Sequence, residues 1–159
     1  MSQEVDRKQT ARELATAAVS YIRQRYYHKT TATFYEVAVR KDLRVDVLCI
    51  GWDDEVTVFE IKSCKEDFKA DKKWEKYLDY CNYFYFITTE GVIKPEDLPD
   101  GVGLIYFVKQ DGSKKYYNLI RQSKRFKGRG LTNSWFKTIY KRLAFRVAGE
   151  DNILNNGGE

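Results

Sequence analysis

Only two prolines and ten glycines occur in 159 residues, too few for a disordered or fibrous chain. Histidine is scarcer still: His28 is the only one, and Cys49, Cys64 and Cys81 include no CxxC pair, so a zinc-type ligand cluster is excluded. An odd cysteine count leaves at least one thiol outside any disulfide scheme, and the three read as reduced, buried cysteines of a cytoplasmic protein. No apolar run approaches the roughly 20 residues needed to cross a bilayer. The opening MSQEVDRKQTAREL is too polar for a signal peptide, so a soluble chain without a membrane partner is expected. Acidic residues, finally, are missing between Asp111 and Glu150.

What is abundant is positive charge and aromatic surface. The chain carries a net charge of +5 and 15% aromatic residues, 12 of them tyrosine. One small core does not need so many rings, and some are expected at the surface, where they can stack on bases or cover a partner. A basic excess attracts polyanions, of which nucleic acid is the commonest.

The length suits a single domain over residues 1–159. From about Asp6 to Tyr27, Leu14, Ala17, Ala18, Tyr21 and Ile22 form one stripe at helical spacing. Three β-branched and aromatic runs follow: Thr31 to Val39, then LRVDVLCI, then EVTVFEIKS after the turn GWDD. They predict an antiparallel meander. The period changes between Lys65 and Tyr80, where Phe68, Trp74, Tyr77 and Leu78 predict a second helix. NYFYFITT and VGLIYFV read as strands buried on both faces, with KYYNLIRQ as a further strand after the turn at Asp111 and Gly112. The basic loop SKRFKGRG leads to a last, basic helix with Trp135, Ile139, Leu143 and Val147 on one stripe, capped by Thr132 or Asn133, before a frayed tail DNILNNGGE. The predicted class is α/β, a mixed sheet with helices on its faces.

Chemistry concentrates in RVDVLCIGWDDEVTVFEIKS. A turn near Trp52 to Asp54 places Asp46 opposite Phe59 or Glu60, and Lys62 shares a face with Glu60 because strand side chains alternate. Two acids and a lysine among Val, Leu, Ile and Phe are costly unless something compensates. Oxygen ligands of this kind suit Mg²⁺ or Mn²⁺. A cation held by Asp46 and Glu60 would relieve their repulsion, polarise a phosphate oxygen and activate water, while Lys62 stabilises the charge that develops. The bland alternative is a structural Glu60–Lys62 ion pair with Asp46 accepting hydrogen bonds at a strand end.

Asp46 followed by Glu60-Ile61-Lys62 after a short hairpin resembles the D…ExK signature of the PD-(D/E)XK nuclease superfamily. The longer text RVDVL, VFEIKSCKEDFKADKKWEKYLDYCNYFYF, and the LP and GVGLI segment, spanning roughly residues 34 to 108, is similar to the MmcB family of DNA-repair-associated proteins within it. The resemblance implies a restriction-endonuclease-like αβββαβ core and a metal-dependent nuclease acting on DNA in repair or recombination. It assigns catalysis to Asp46, Glu60 and Lys62, and metal ligation to Asp46, Glu60 and the Ile61 carbonyl. An added acid comes from the first helix, where Glu13 fits best, with Glu36 on the first strand as the competing candidate. The proline of the superfamily's name is replaced by Val45. Nucleases of this fold often pair as homodimers to cut two strands.

For DNA contact, Lys72 and Lys73 lie near the predicted site, and Arg121, Lys124, Arg125, Lys127 and Arg129, with Tyr116, Tyr117 and Phe126, form a backbone-tracking surface in the acid-free stretch. RNA would also be served by exposed aromatics. The competing functional class keeps the nuclease fold without chemistry, as a DNA-binding or protein-interaction protein in repair or a phage process.

Overall fold

A computed structural model of the chain describes residues 2–109 and 116–155. Two compact units result, Met1–Gly128 and Arg129–Glu159.

In the first unit α1 (Ser2–Arg25) precedes the meander β1 (Thr31–Arg40), β2 (Leu43–Gly51) and β3 (Val56–Ile61). Two short helices, α2 (Lys65–Ala70) and α3 (Trp74–Tyr77), lead to β4 (Tyr83–Thr88), β5 (Gly103–Phe107) and β6 (Tyr117–Arg121). The six strands lie in chain order in one sheet. β1–β2, β2–β3 and β5–β6 are antiparallel, and β3–β4–β5 are parallel, so the sheet is mixed as predicted.

The apolar stripe of α1 covers one face: Leu14, Ala17, Ala18, Tyr21 and Ile22 are all buried, against Val47, Phe59, Tyr85, Ile87, Ile105 and Tyr117. On the other face Phe68 and Trp74 meet Phe86 edge-on at 5.4 and 5.3 Å, and Trp74 stacks on Phe84 at 5.8 Å. Coverage on both sides explains the unbroken apolar character of β4 and β5.

The single helix predicted over Lys65 to Tyr80 is divided at Asp71. Its Oδ1 accepts the backbone N–H groups of Lys73 and Trp74 at 2.8 and 3.2 Å. A side chain that satisfies the first amides of a new turn stops the old one, which is why aspartate favours helix starts.

The second unit holds α4 (Asn133–Asn155), whose start is capped by Thr132, the Oγ1 accepting the Trp135 N–H at 3.1 Å. Ile139 and Leu143 are buried as predicted, but Val147 is 67% exposed and off the stripe. The helix runs to Asn155, further than the expected fraying point. The predicted turn at Asp111 and Gly112, Lys114, Lys115 and the last four residues lie outside the described residues. Cys49, Cys64 and Cys81 are free thiols, Cys64 only half-buried. Among the described residues no helix is long and apolar enough to cross a membrane.

Leu14 is 1% exposed under the sheet and Val147 is outward. Leu14→Ala should therefore lower the unfolding free energy by about 2–5 kcal/mol and Val147→Ala by less than about 0.5 kcal/mol, as measured by urea denaturation.

Candidate active site

Asp46 sits where two strand ladders fail. Its partners across β1 jump from Tyr35–Val47 to Val37–Val45, skipping Glu36 and Asp46. Toward β3 the register stops at Val47–Phe59, one residue short of Asp46–Glu60. In place of the next rung the Asp46 Oδ2 accepts the Ile61 N–H at 2.7 Å. An extended residue turns its N–H and C=O to the same side, so the Ile61 carbonyl faces the same gap. The neighbouring amide, Lys62 N–H, points the other way and bonds the Ile87 carbonyl of β4 at 3.0 Å.

Registry and alternation set Asp46, Glu60 and Lys62 on one face, as predicted. Glu60 and Lys62 are buried at 6% and 8% exposure. The Lys62 ammonium donates to Glu60 Oε1 at 3.2 Å and to Asp71 Oδ2 at 2.6 Å. Glu60 Oε2 is fully enclosed and has no hydrogen-bond partner. A buried carboxylate oxygen without a donor is expensive, which marks a place where a proton or a cation belongs.

The electrostatics agree. Burial pushes the Glu60 carboxyl up to about 8, the Asp46 charge adding and Lys62 opposing. Burial also raises Asp46, against the Ile61 N–H that lowers it. For Lys62 burial works against the ammonium, yet the Asp71 and Glu60 contacts prevail and hold its pKa above the ordinary value. Asp71 is desolvated too, but Lys62 and the two amides keep it low. The three groups therefore carry charge on Asp71 and Lys62 and a proton on Glu60 near neutral pH. Tyr77 closes the cluster from α3: its hydroxyl donates to the Arg44 carbonyl at 3.0 Å, and burial, then the Glu60 charge, raises its pKa.

Glu36 and Asp46 open onto a cleft of ≈ 1330 Å³ that also borders Ile61 and the outer side of α1. Glu36 has φ 52°, left-handed backbone that a side chain rarely adopts. It ion-pairs with Arg44 at 3.4 Å and its charge acts on Asp46. Glu13 is half-buried on α1 and is not among the residues lining the cleft. Of the two candidate additional acids, Glu36, not the better-ranked Glu13, lines the cleft with Asp46.

Among the described residues no three His, Cys, Asp or Glu side chains converge as a metal cluster. Two carboxylates, one of them with an unpartnered Oε2, and a backbone carbonyl nevertheless fit Mg²⁺ or Mn²⁺, which commonly take one or two protein carboxylates and complete their shell with water and phosphate.

The predicted DNA-contact residues divide. Lys72 and Lys73 are exposed beside Asp71, at the end of the sheet that carries the cluster. The loop from Ser123 to Phe126 instead follows the starts of β3, β4 and β5: Lys124 N–H bonds Gly101, Phe126 N–H bonds Asn82, and Arg125 pairs with Glu55 at 2.7 Å. Six residues of β3 separate Glu55 at that end from Lys62, about 23 Å at strand rise. Arg121 is not a free cation either. Its guanidinium donates to the carbonyls of Val102, Pro95 and Pro99, anchoring the segment before β5. Arg121 and Arg125 are thus engaged by carbonyls and by Glu55, whereas the Lys124 side chain is exposed at that end of the sheet; Lys127 is exposed beyond them and Arg129 belongs to the second unit. Tyr117 is likewise buried, donating to Gln24. In the sequence Asp71 is one polar position of a long helical pattern, which hides its role; an aspartate three residues before Trp74 is the local signal of a helix start.

Comparison with known proteins gives two matches. The family described as "DNA repair protein MmcB-like" matches residues 2–151. A solved structure of the SPO1766 protein of unknown function from Silicibacter pomeroyi is similar at a TM-score of 0.68 and 25% identity, over 94% of each chain. None of the curated proteins matches.

Two outcomes are expected. Glu60 in the folded chain keeps its proton up to about 8, whereas an exposed glutamate loses it near 4.5. Its contribution to stability is then complete below the lower value and lost as pH rises through the upper one. Urea denaturation in chelator should show wild-type stability falling across that window and Glu60→Gln flattening the fall; a wild-type profile equal to the variant's would contradict the assignment. Glu36→Gly should raise stability by about 1 kcal/mol through relief of the left-handed backbone, because the exposed Arg44 pair it removes is worth little; thermal denaturation reads this directly.

Proposed function

The chain belongs to the MmcB-like family of DNA repair proteins, and from that premise we propose that it is a divalent-cation-dependent nuclease of the PD-(D/E)XK type that hydrolyses DNA phosphodiester bonds. The observation carrying the proposal is the enclosed, unpartnered Glu60 Oε2 beside Asp46, with Lys62 held on the same face. A structural ion pair does not need the second oxygen left bare or a second carboxylate drawn beside it. A metal site does.

Asp46 and Glu60, with the Ile61 carbonyl and Glu36 at the cleft, would hold Mg²⁺ or Mn²⁺. What the cation contributes when bound is Lewis acidity toward the phosphoryl oxygen and the attacking water. The remaining work falls to the chain. The Asp46–Ile61 bond holds the carboxylate at the ladder gap, aimed by backbone rather than by a mobile neighbour. Lys62 is kept cationic by Asp71 and Glu60, which suits it to stabilise charge building on the phosphate and disqualifies it as a general base near neutral pH. Asp71 is a positioning residue: it fixes the Lys62 ammonium while its other oxygen begins α3.

Purified protein incubated with single-stranded, duplex and branched DNA should cleave with Mg²⁺ or Mn²⁺ and not with chelator. Asp46→Ala should abolish cleavage, and Lys62→Ala should slow it on the order of 10²–10³-fold, the effect of removing one charge-stabilising donor. Binding without cleavage under every condition would instead identify an inactive nuclease-fold DNA-binding protein. Metal binding has its own readout: Mn²⁺ should raise the melting temperature of wild type, with about 2.7 kcal/mol of stabilisation at a hundred times its Kd, and leave Glu60→Gln unmoved.

A further inference from the structure

The cleft in front of Asp46 is neither uniformly polar nor uniformly charged. Its margins carry Arg12 and Arg23 from α1, and Tyr35 and Tyr116 from the sheet side, with Glu36 and Asp46 on the same wall. Both arginines are exposed. Tyr35 is 46% exposed and Tyr116 40%, although most tyrosines of the sheet, such as Tyr85, Tyr106 and Tyr117, are buried. Tyr35 sits one residue before the left-handed Glu36 and pairs across the ladder with Val47, the neighbour of Asp46. Its half-open ring lines the same cleft as Glu36 and Asp46.

A paired duplex offers phosphates and base edges to a protein but hides its base faces. An unpaired strand offers phosphates and faces together, and aromatic rings beside cations are the surface that binds it, since every base can stack whatever its sequence. Arg12 and Arg23 are eleven residues apart on α1, about 16 Å at helical rise. At about 3.4 Å per stacked nucleotide that distance matches four to five phosphates of one strand. Two cations of the basic stretch, Arg121 and Arg125, are instead tied to carbonyls and to Glu55 at the far end of the sheet.

We propose that this cleft binds single-stranded DNA, with Tyr35 and Tyr116 stacking on bases, Arg12 and Arg23 contacting phosphates, and the strand led past Asp46. The inference rests on the nuclease reading for the purpose of the site but is tested by binding alone. A fluorescent oligonucleotide is titrated with the full chain in chelator, as a single strand, as its duplex and as the RNA of the same sequence. The single DNA strand should bind tightest. Tyr35→Ala should weaken it roughly 5- to 150-fold, the cost of losing one stacked base, while Tyr35→Phe, which keeps the ring, should bind as wild type. Arg12→Ala should weaken the single strand and reduce its salt dependence by about one counterion.

Duplex bound as tightly as single strand, or Tyr35→Ala binding like a folded wild type, overturns the inference while leaving cation-dependent cleavage standing. RNA bound more tightly overturns the assignment to DNA. Failure to bind any of the three probes defeats the nuclease reading itself.

Discussion

The Asp46 carboxylate bonds the Ile61 amide at the point where β2 stops pairing with β3, and the rest of the site depends on that one substitution of a side chain for a ladder rung. If the β2–β3 ladder continued, the Ile61 carbonyl would be spent within the sheet. Because it does not, the Asp46 carboxylate and Ile61 are left at one opening, with Glu60 buried behind them. The break is matched on the other side of β2, where Glu36 leaves the β1 ladder in a left-handed conformation. Irregularities of this kind recur where a sheet re-aims side chains for a purpose.

Burial then decides the protonation of the cluster. Phe84, Phe86, Trp74 and Tyr77 exclude water from the face that carries Glu60 and Lys62, so two carboxylates there cannot both be charged without a counter-ion. Lys62 does not serve as that counter-ion for both, since its shorter contact is to Asp71. The result is a lysine held charged, an aspartate held charged, and a glutamate that keeps its proton until pH rises through about 8.

Particular elements show what could be read in advance. The helical stripe from Leu14 to Ile22 and the alternation of β2 and β3 were legible because each rests on a local period, and the short GWDD turn limited Asp46 to two partners across β3. The ExK spacing placed Glu60 and Lys62 on one face for the same reason. The broken helix at Asp71 and the outward Val147 were not legible, since a periodic pattern continues through a residue whose side chain has found another amide to bond. Nor was the fate of the basic stretch. Charge along a chain says that polyanions are attracted, but not that the guanidinium of Arg121 will be turned onto three carbonyls or that Arg125 will meet Glu55.

By itself, then, the sequence determined the kinds of element, their order, the face shared by Asp46, Glu60 and Lys62, and the family to which the text belongs. These depend on periods of two and 3.6 residues and on short turns, which act over a few neighbours. Tertiary structure alone decided that Asp71 completes the cluster, that Glu36 rather than Glu13 stands at the cleft, and that the basic loop lies at the opposite end of the sheet. Each of those outcomes brings together groups from separate elements. Which groups meet follows from how strands end and helices cross, and no local pattern encodes it.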